Sequence, residues 1–327
     1  MQAYTEQQRF LGTLLGNPTD RFPYFDLEPD GDTLKRWRRQ GFPRWRSFAS
    51  YFHLEPHHDL GPVLRSYPFY RKAPDILTDP KAFGRHYDPD QCFRYPENLA
   101  EKSQRLRRMG RVLYVNASGG GLLQMLGVGD WASFQAACRA LIKTPRQVAA
   151  LLEKITDFYC ICLERVLSTV SVDYASFYEP IAANTAPVIS PAMFERFALP
   201  GYRKVIRLLD RHDVPLRILC TTGGNLSPLL PPLIDAGING LWISNIRSAG
   251  MSYTRLRDQF GPDIALIGGI EATALAEDPA AVKKAVENTA PELLHSGRYL
   301  PCLDDRPRSN IPLANYQLFR RLLSALV

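Results

Sequence analysis

The chain has 327 residues, 45% of them apolar and 22% charged, with a formal net charge of +7. That composition suits a globular protein with a large core, built either as two modest domains or as one large α/β barrel. No stretch approaches the ~20 apolar residues that span a bilayer, and the N-terminus MQAYTEQQRFLGTLLGNPTDR lacks the pattern of a secretory signal, so a cytoplasmic protein without a membrane partner is expected.

In chain order, RFPYFD (21–26) reads as a first strand. The arginine-rich runs KRWRRQGFPRWR (35–46) and KSQRLRRMGR (102–111) are either solvated helix faces or a surface for an anionic partner, such as a carboxylate-rich ligand or an acidic protein. No helix-turn-helix, zinc-finger or RNP-type motif accompanies them, so nucleic acid is not an expected partner. Residues 50–100, rich in Pro, His and Tyr, resist assignment, although one strand is expected there. Their histidines His53, His57, His58 and His86 read as solvated loop residues in preference to an irregular metal tract.

From residue 110 onward strands and helices alternate. RVLYVNAS (111–118), VDYASFYE (172–179), PLRILCT (215–221), NGLWISN (239–245), DIALIGG (263–269) and RYLPC (298–302) are short and continuously apolar, as strands of a parallel sheet buried on both faces are. Thr144-Pro145, Ser190-Pro191, Ser227-Pro228 and Asp278-Pro279 place a capping residue before a proline at four predicted helix starts, while Gly237 and Gly297 close helices. SGGGLLQMLG (118–127) follows a strand without the G-x-G-x-x-G spacing of a dinucleotide fold. Repeated βα units without a break in composition predict one α/β domain, a TIM-type (β/α)8 barrel with an N-terminal helical extension, over an open doubly wound sheet.

In such a barrel the chemistry sits where strands end. The candidates are Asp26, Asn116, Ser118, Glu179, Cys220, Thr221, Asn225, Ser244, Asn245, Glu271 and the run Cys302-Leu303-Asp304-Asp305-Arg306. Glu179, ending FYE before Pro180, is expected at the mouth as a general base, ligand anchor or metal ligand, or else as a solvated rim acid. Arg306 would hold Asp304 and Asp305 ionised, for binding an amine, orienting a proton or forming a loop salt bridge. The six cysteines form no C-x-x-C pair, and Cys160 and Cys162 read as core thiols. Cys220 and Cys302 could meet Asp305 in a mixed sulfur–oxygen zinc site, but no histidine lies nearby on either loop, and buried thiols with no metal are expected. No G-x-S-x-G elbow is present.

The stretch from YEPIAANTAPVISPAMFERF through ILCTTGGNLSPLLPPLIDAGINGLW resembles the core of the uroporphyrinogen decarboxylase superfamily, whose members include the decarboxylase and corrinoid-dependent methyltransferases acting on coenzyme M or tetrahydrofolate. LIGGIEATAL, YLPCLDDRPRSNIPLANYQLF and QQRFLGTLLGNPTDRFPYFD resemble its closing and opening segments. The resemblance covers 1–45 and 110–327, leaving 46–109 as a divergent, insertion-like segment of one domain spanning 1–327. It implies a distorted barrel with the site in a deep cleft. Where the decarboxylase carries M-R-Q-A-G-R-Y this chain has FDLEPDGDTLKRW, which argues against porphyrinogen decarboxylation. Thiol-methylating members carry H-x-C-G-(N/D) where this chain has Thr221-Thr222-Gly223-Gly224-Asn225, and their late cysteine falls near Asp305. The resemblance therefore implies no zinc, places Cys220 as packing behind the site, and points to methyl transfer between a corrinoid (cobalamin), carried by a partner protein, and a non-thiol small molecule. Glu179 and Asp305 would be the acids handling protons. Asp26, Asn116, Ser118, Thr221, Asn225, Asn245, Glu271, Asp304 and Arg306 would contact substrate. Decarboxylation of a carboxylated tetrapyrrole or aromatic acid, and tetrapyrrole binding without catalysis, are the alternatives.

Overall fold

The computed structural model describes residues 4–67, 80–221 and 223–327. Its centre is a sheet of seven parallel strands in sequential order: β1 (His57–Asp59), β2 (Val112–Asn116), β3 (Tyr174–Tyr178), β4 (Leu216–Thr221), β5 (Gly240–Ile243), β6 (Ala265–Ile267) and β7 (Tyr299–Leu300). With helices in most of the crossovers, this is a distorted TIM-type barrel. Strands β2–β7 fall inside the six predicted runs, and β1 lies in the segment that resisted assignment.

RFPYFD, expected as the first strand, makes no ladder. Its links are single ones: the Glu55 amide donates to the Tyr24 carbonyl at 2.7 Å, and the Leu303 amide donates to the Asp26 carboxylate at 2.8 Å. The Asp26 side chain takes an amide just past β7 that a neighbouring backbone carbonyl would otherwise accept, and Pro23 has no amide to offer. The segment thus touches residues near both ends of the sheet without joining it.

Alternation along the strands separates two cores. Leu113, Val115, Ala175, Phe177, Leu219, Leu241 and Leu266 face the helices. Val112, Tyr174, Leu216, Ile218, Ala265, Ile267, Leu300 and Cys302 face inward, where Phe10 and Leu14 from the helix Glu6–Leu15 join them. The N-terminal helix therefore packs into the barrel interior; it is more than an extension. Its start carries a capping box, Thr5 accepting from the Gln8 amide and the Gln8 side chain accepting from Thr5.

Two of the four predicted caps form as expected: Ser190 accepts from the Met193 amide and Asp278 from the Ala281 amide. Thr144 does not cap, because its hydroxyl turns back to the Ala140 carbonyl at 3.1 Å. Ser227 opens a short 3-10 turn before the helix Leu230–Asp235, without a side-chain bond. Ser190→Ala is therefore expected to cost about 1 kcal/mol and Thr144→Ala measurably less. Urea denaturation of the two variants checks this, and equal losses would remove the distinction. Among the described residues no helix is long and apolar enough to cross a membrane.

Candidate active site

At the ends of the strands the interior opens into two adjoining cavities that share Leu27, Tyr178, Cys220 and Trp242. The inner one, about 380 Å3, is walled by Phe25, His57, Tyr114, Tyr174 and Trp242, with Asn116 and Ser176 beside them. The Tyr114 and Tyr174 rings stack at 4.8 Å because their residues are direct partners across β2 and β3. Phe25 stacks on His57 at 4.2 Å. The outer cavity, about 450 Å3, is rimmed by Asp30, Thr221, Ser244, Asp305, Arg306 and Arg308.

Electrostatically the inner cavity is quiet. Burial drives the His57 imidazole down to about 3, helped by His58, so it is neutral, and its Nδ1 meets the Tyr174 hydroxyl at 3.0 Å. Burial pushes the Cys220 thiol up to about 12 and raises both tyrosines. Asp26, although it lines this cavity, is committed to structure. It accepts from Leu303, from the Tyr316 hydroxyl at 2.8 Å and from Arg320 at 3.1 Å.

Several expectations change once side-chain directions are visible. Glu179 lies one residue past inward-facing Tyr178, so its carboxylate points away from the mouth into the layer between sheet and helices. There it is 1% exposed, accepts from the Leu122 amide at 3.1 and 3.2 Å and from Tyr202 Oη at 3.1 Å, and burial raises its pKa to about 7. It anchors the glycine run at 119–121, where a Cβ on Gly121 would sit 2.5 Å from its Oε1. Ser118 is likewise structural, its hydroxyl bridging the amide and carbonyl of Tyr178.

Cys220 moves the other way. It shares the inward face with Leu216 and Ile218 and lines both cavities, so it stands in the site and not behind it. Thr221 reaches the outer cavity with its hydroxyl buried and unpartnered. After it, Gly224 must be glycine, since a Cβ there would lie 2.7 Å from the Ala182 backbone. Asn225 accepts from the Ser227 amide at 3.0 Å and lines neither cavity.

The acid–acid–base run separates. Asp305 is held by the Arg308 guanidinium at 2.7 Å and accepts from Arg306 only the backbone amide, also at 2.7 Å, while the Arg306 side chain is exposed at the rim. Asp304 turns inward, accepts from the Ala272 amide at 2.9 Å, and is raised to about 6 by burial. Glu271 pairs with Arg247 at 3.7 Å, and Asn245 takes a left-handed turn at φ 47°. Asn116 faces the inner cavity while accepting the Ser118 and Gly119 amides at 3.1 and 3.0 Å. In the basic run 102–111, Arg107 binds Asp173 at 2.7 Å and Arg111 pairs with Glu6, so these are internal pins and not a free surface.

Among the described residues no three His, Cys, Asp or Glu side chains are grouped to hold a metal ion. Cys302 is buried, and its thiol, like that of Cys220, is pushed up by burial and stays protonated, a poor ligand state. His57, Tyr114, Tyr174 and Trp242 went unnominated by sequence reasoning. For Tyr114, Tyr174 and Trp242 the signal was alternation, each sharing the inward parity of its strand, whereas the three-residue strand of His57 offered none.

Residues 122–300 match the family model described as uroporphyrinogen decarboxylase (URO-D). The chain belongs to the uroporphyrinogen decarboxylase family. It is 23% identical over 321 residues to a uroporphyrinogen decarboxylase of Trichlorobacter lovleyi, covering 87% of this chain and 88% of the relative. A second, from Geobacter metallireducens, is 23% identical over 323 residues with the same coverage. A methyltransferase from Methanosarcina mazei superposes with a TM-score of 0.62 at 16% identity, over 98% of this chain and 99% of that one, a likeness of fold. Enzymes of the TIM-barrel fold carry their chemistry at the mouth, which makes it the candidate site in this uroporphyrinogen decarboxylase family member.

Proposed function

We propose that the protein transfers a methyl group between a corrinoid, carried by a partner protein, and a non-thiol small molecule seated in the barrel mouth. The observation that carries this reading is the charge balance of the mouth. Among the described residues no Lys or Arg lines the inner cavity, and at the outer rim Arg306 and Arg308 are balanced in number by Asp30 and Asp305. A porphyrinogen bearing many carboxylates would find, among the described residues, one unpaired guanidinium, that of Arg306, at a rim whose charges balance overall, whereas a neutral planar group, such as the pterin ring of a tetrahydrofolate-type acceptor, meets aromatic walls.

The corrinoid, when bound, would supply the methyl carrier, with Leu27 and Trp242 at the mouth as the apolar residues that would face it and Thr221 and Ser244 as polar partners for its amides. The chain's own residues do the rest. Tyr114, Tyr174 and Trp242 fix the plane of the acceptor. Asp305, held in place by Arg308, takes the proton that the acceptor's N–H or O–H releases as its nitrogen or oxygen gains the methyl group. Glu179 acts at one remove, positioning the loop after β2. With no trio of metal donors grouped among the described residues, no thiolate-forming step is assigned.

Incubation with methylcobalamin and candidate acceptors tests the proposal through loss of the methylcobalamin absorbance. Asp305→Asn is expected to lower kcat/KM by about 10²-fold, the lower end of acid–base contributions. No consumption with any acceptor would reject it. A second reading, decarboxylation, is favoured by the names of the two curated relatives and by the exposed guanidinium of Arg306 at the rim. Release of CO2 from a carboxylated tetrapyrrole, without methyl transfer, would select that reading. Tetrapyrrole binding unaffected by Asp305→Asn, with no turnover, would select a binding protein.

A further inference from the structure

On the outer wall, the helices Pro145–Leu167 and Leu199–Arg211 pack together, and a Cβ on Gly201 would lie 3.0 Å from the Thr156 hydroxyl. The surface beside that contact forms an open groove of about 670 Å3, to which the helix Pro191–Phe197 also contributes. Its floor is apolar or small, with Ala149, Leu152, Phe197 and Gly201. Four cations, Arg146, Arg196, Lys204 and Arg207, line it against the single carboxylate of Glu153. Lys204 is paired with Asp157, but the three arginines are exposed and, among the described residues, none makes an ion pair.

The lining residues follow both helices. Arg146, Ala149 and Glu153 recur at helical spacing over two turns, about 10 Å, and Lys204 and Arg207 follow Pro200 and Gly201 along one face of the other helix. The helix Pro145–Leu167 leads into β3 and the helix pair 191–211 into β4, so in a parallel barrel both run against their strands. Arg146 and Arg196 therefore lie toward the end where the strands finish, on the same side of the molecule as the barrel mouth.

We propose that this groove docks an acidic, partly apolar peptide segment of a protein partner. Unmatched guanidiniums on a concave surface raise a positive potential that draws a negative partner and sets its register. The apolar floor asks for alternate apolar side chains between the acids, which a bare anion does not supply. An open groove lined over two turns of a helix suits a chain segment lying across it better than an enclosed phosphate. This inference is independent of the reaction assigned to the mouth, and the groove shares no residue with the cavities described there.

A fluorescein-labelled short peptide of alternating Glu and Leu, titrated with the full-length protein and read by fluorescence polarisation, tests it. Saturable binding that weakens with added salt is expected. Arg146→Glu/Arg207→Glu should weaken it by at least about tenfold, and the milder Arg146→Gln/Arg207→Gln should reduce it less. Arg36→Glu/Arg38→Glu, on the exposed face of the helix Gly31–Arg39, should leave it unchanged. Circular dichroism confirms that each variant is folded. Absence of binding by the wild type, wild-type affinity in both groove variants, or displacement of the peptide by an equal concentration of inorganic phosphate would overturn the proposal.

Discussion

Asp26→Ala is expected to lower the free energy of unfolding by about 3–5 kcal/mol, the loss typical when one member of a buried ion pair is removed. The Asp26 side chain is fully out of solvent and that of Arg320 is 7% exposed. Removing the carboxylate strands a buried guanidinium, whose Nε already has no partner, and leaves the Leu303 amide and the Tyr316 hydroxyl unsatisfied. The pair is not itself strongly stabilising: desolvation outweighs Arg320 and raises the Asp26 pKa. Replacing both partners, as Asp26→Leu/Arg320→Met, should therefore recover part of the loss. Guanidinium denaturation of the wild type, the single and the double variant measures it. A single variant within about 1 kcal/mol of wild type would show that the carboxylate does not hold the segment 22–26 to the strand ends.

The second large effect depends on pH. Glu179 titrates at about 7 in the folded protein against 4.5 for its ordinary value, because burial penalises its charged form. The folded state thus binds this proton more tightly than the unfolded state. Its contribution to stability is complete below pH 4.5 and is lost as pH rises through 7. The span between the two values corresponds to about 3 kcal/mol. In Glu179→Gln that proton is absent, so the difference in stability between variant and wild type should shift in the variant's favour by about 3 kcal/mol between pH 4.5 and pH 8. The difference removes the contributions of Asp304 and other acids common to both proteins. Unfolding curves at several pH values give it directly, and a pH-independent difference would mean that Glu179 is ionised throughout.

Both predictions turn on residues nominated as substrate contacts or catalysts from their place at strand ends. That place was legible for Asn116, Glu179, Cys220 and Asp305, which lie where strands or their loops finish, while Asp26 was nominated as the end of a strand that does not form. Direction was only partly read. Tyr174, Ser176 and Tyr178 alternate with Ala175, Phe177 and Glu179, so the parity of β3 already put Glu179 with the outward residues. The same parity put Cys220 with Leu216 and Ile218, facing the site. His57 was not legible at all. Three residues of strand in a proline- and histidine-rich stretch carry too little alternation, and its neutrality comes from burial among rings of the N-terminal helix and the segment before β1.

The sequence by itself determined the barrel: continuous apolar runs at βα spacing leave a parallel sheet covered on both faces as the arrangement that buries them. It also determined the helix starts at Ser190 and Asp278, because a cap is a bond between residues three apart. Only the tertiary structure decided what fills the interior and which acids are free to act. Phe10 entering the barrel, Asp26 claimed by Arg320, and Asp305 claimed by Arg308 in place of Arg306 are choices among partners. The first two join residues far apart in the chain, and the third turns on loop geometry. Burial, which sets each group's charge, is a property of the assembled layers and not of any local stretch.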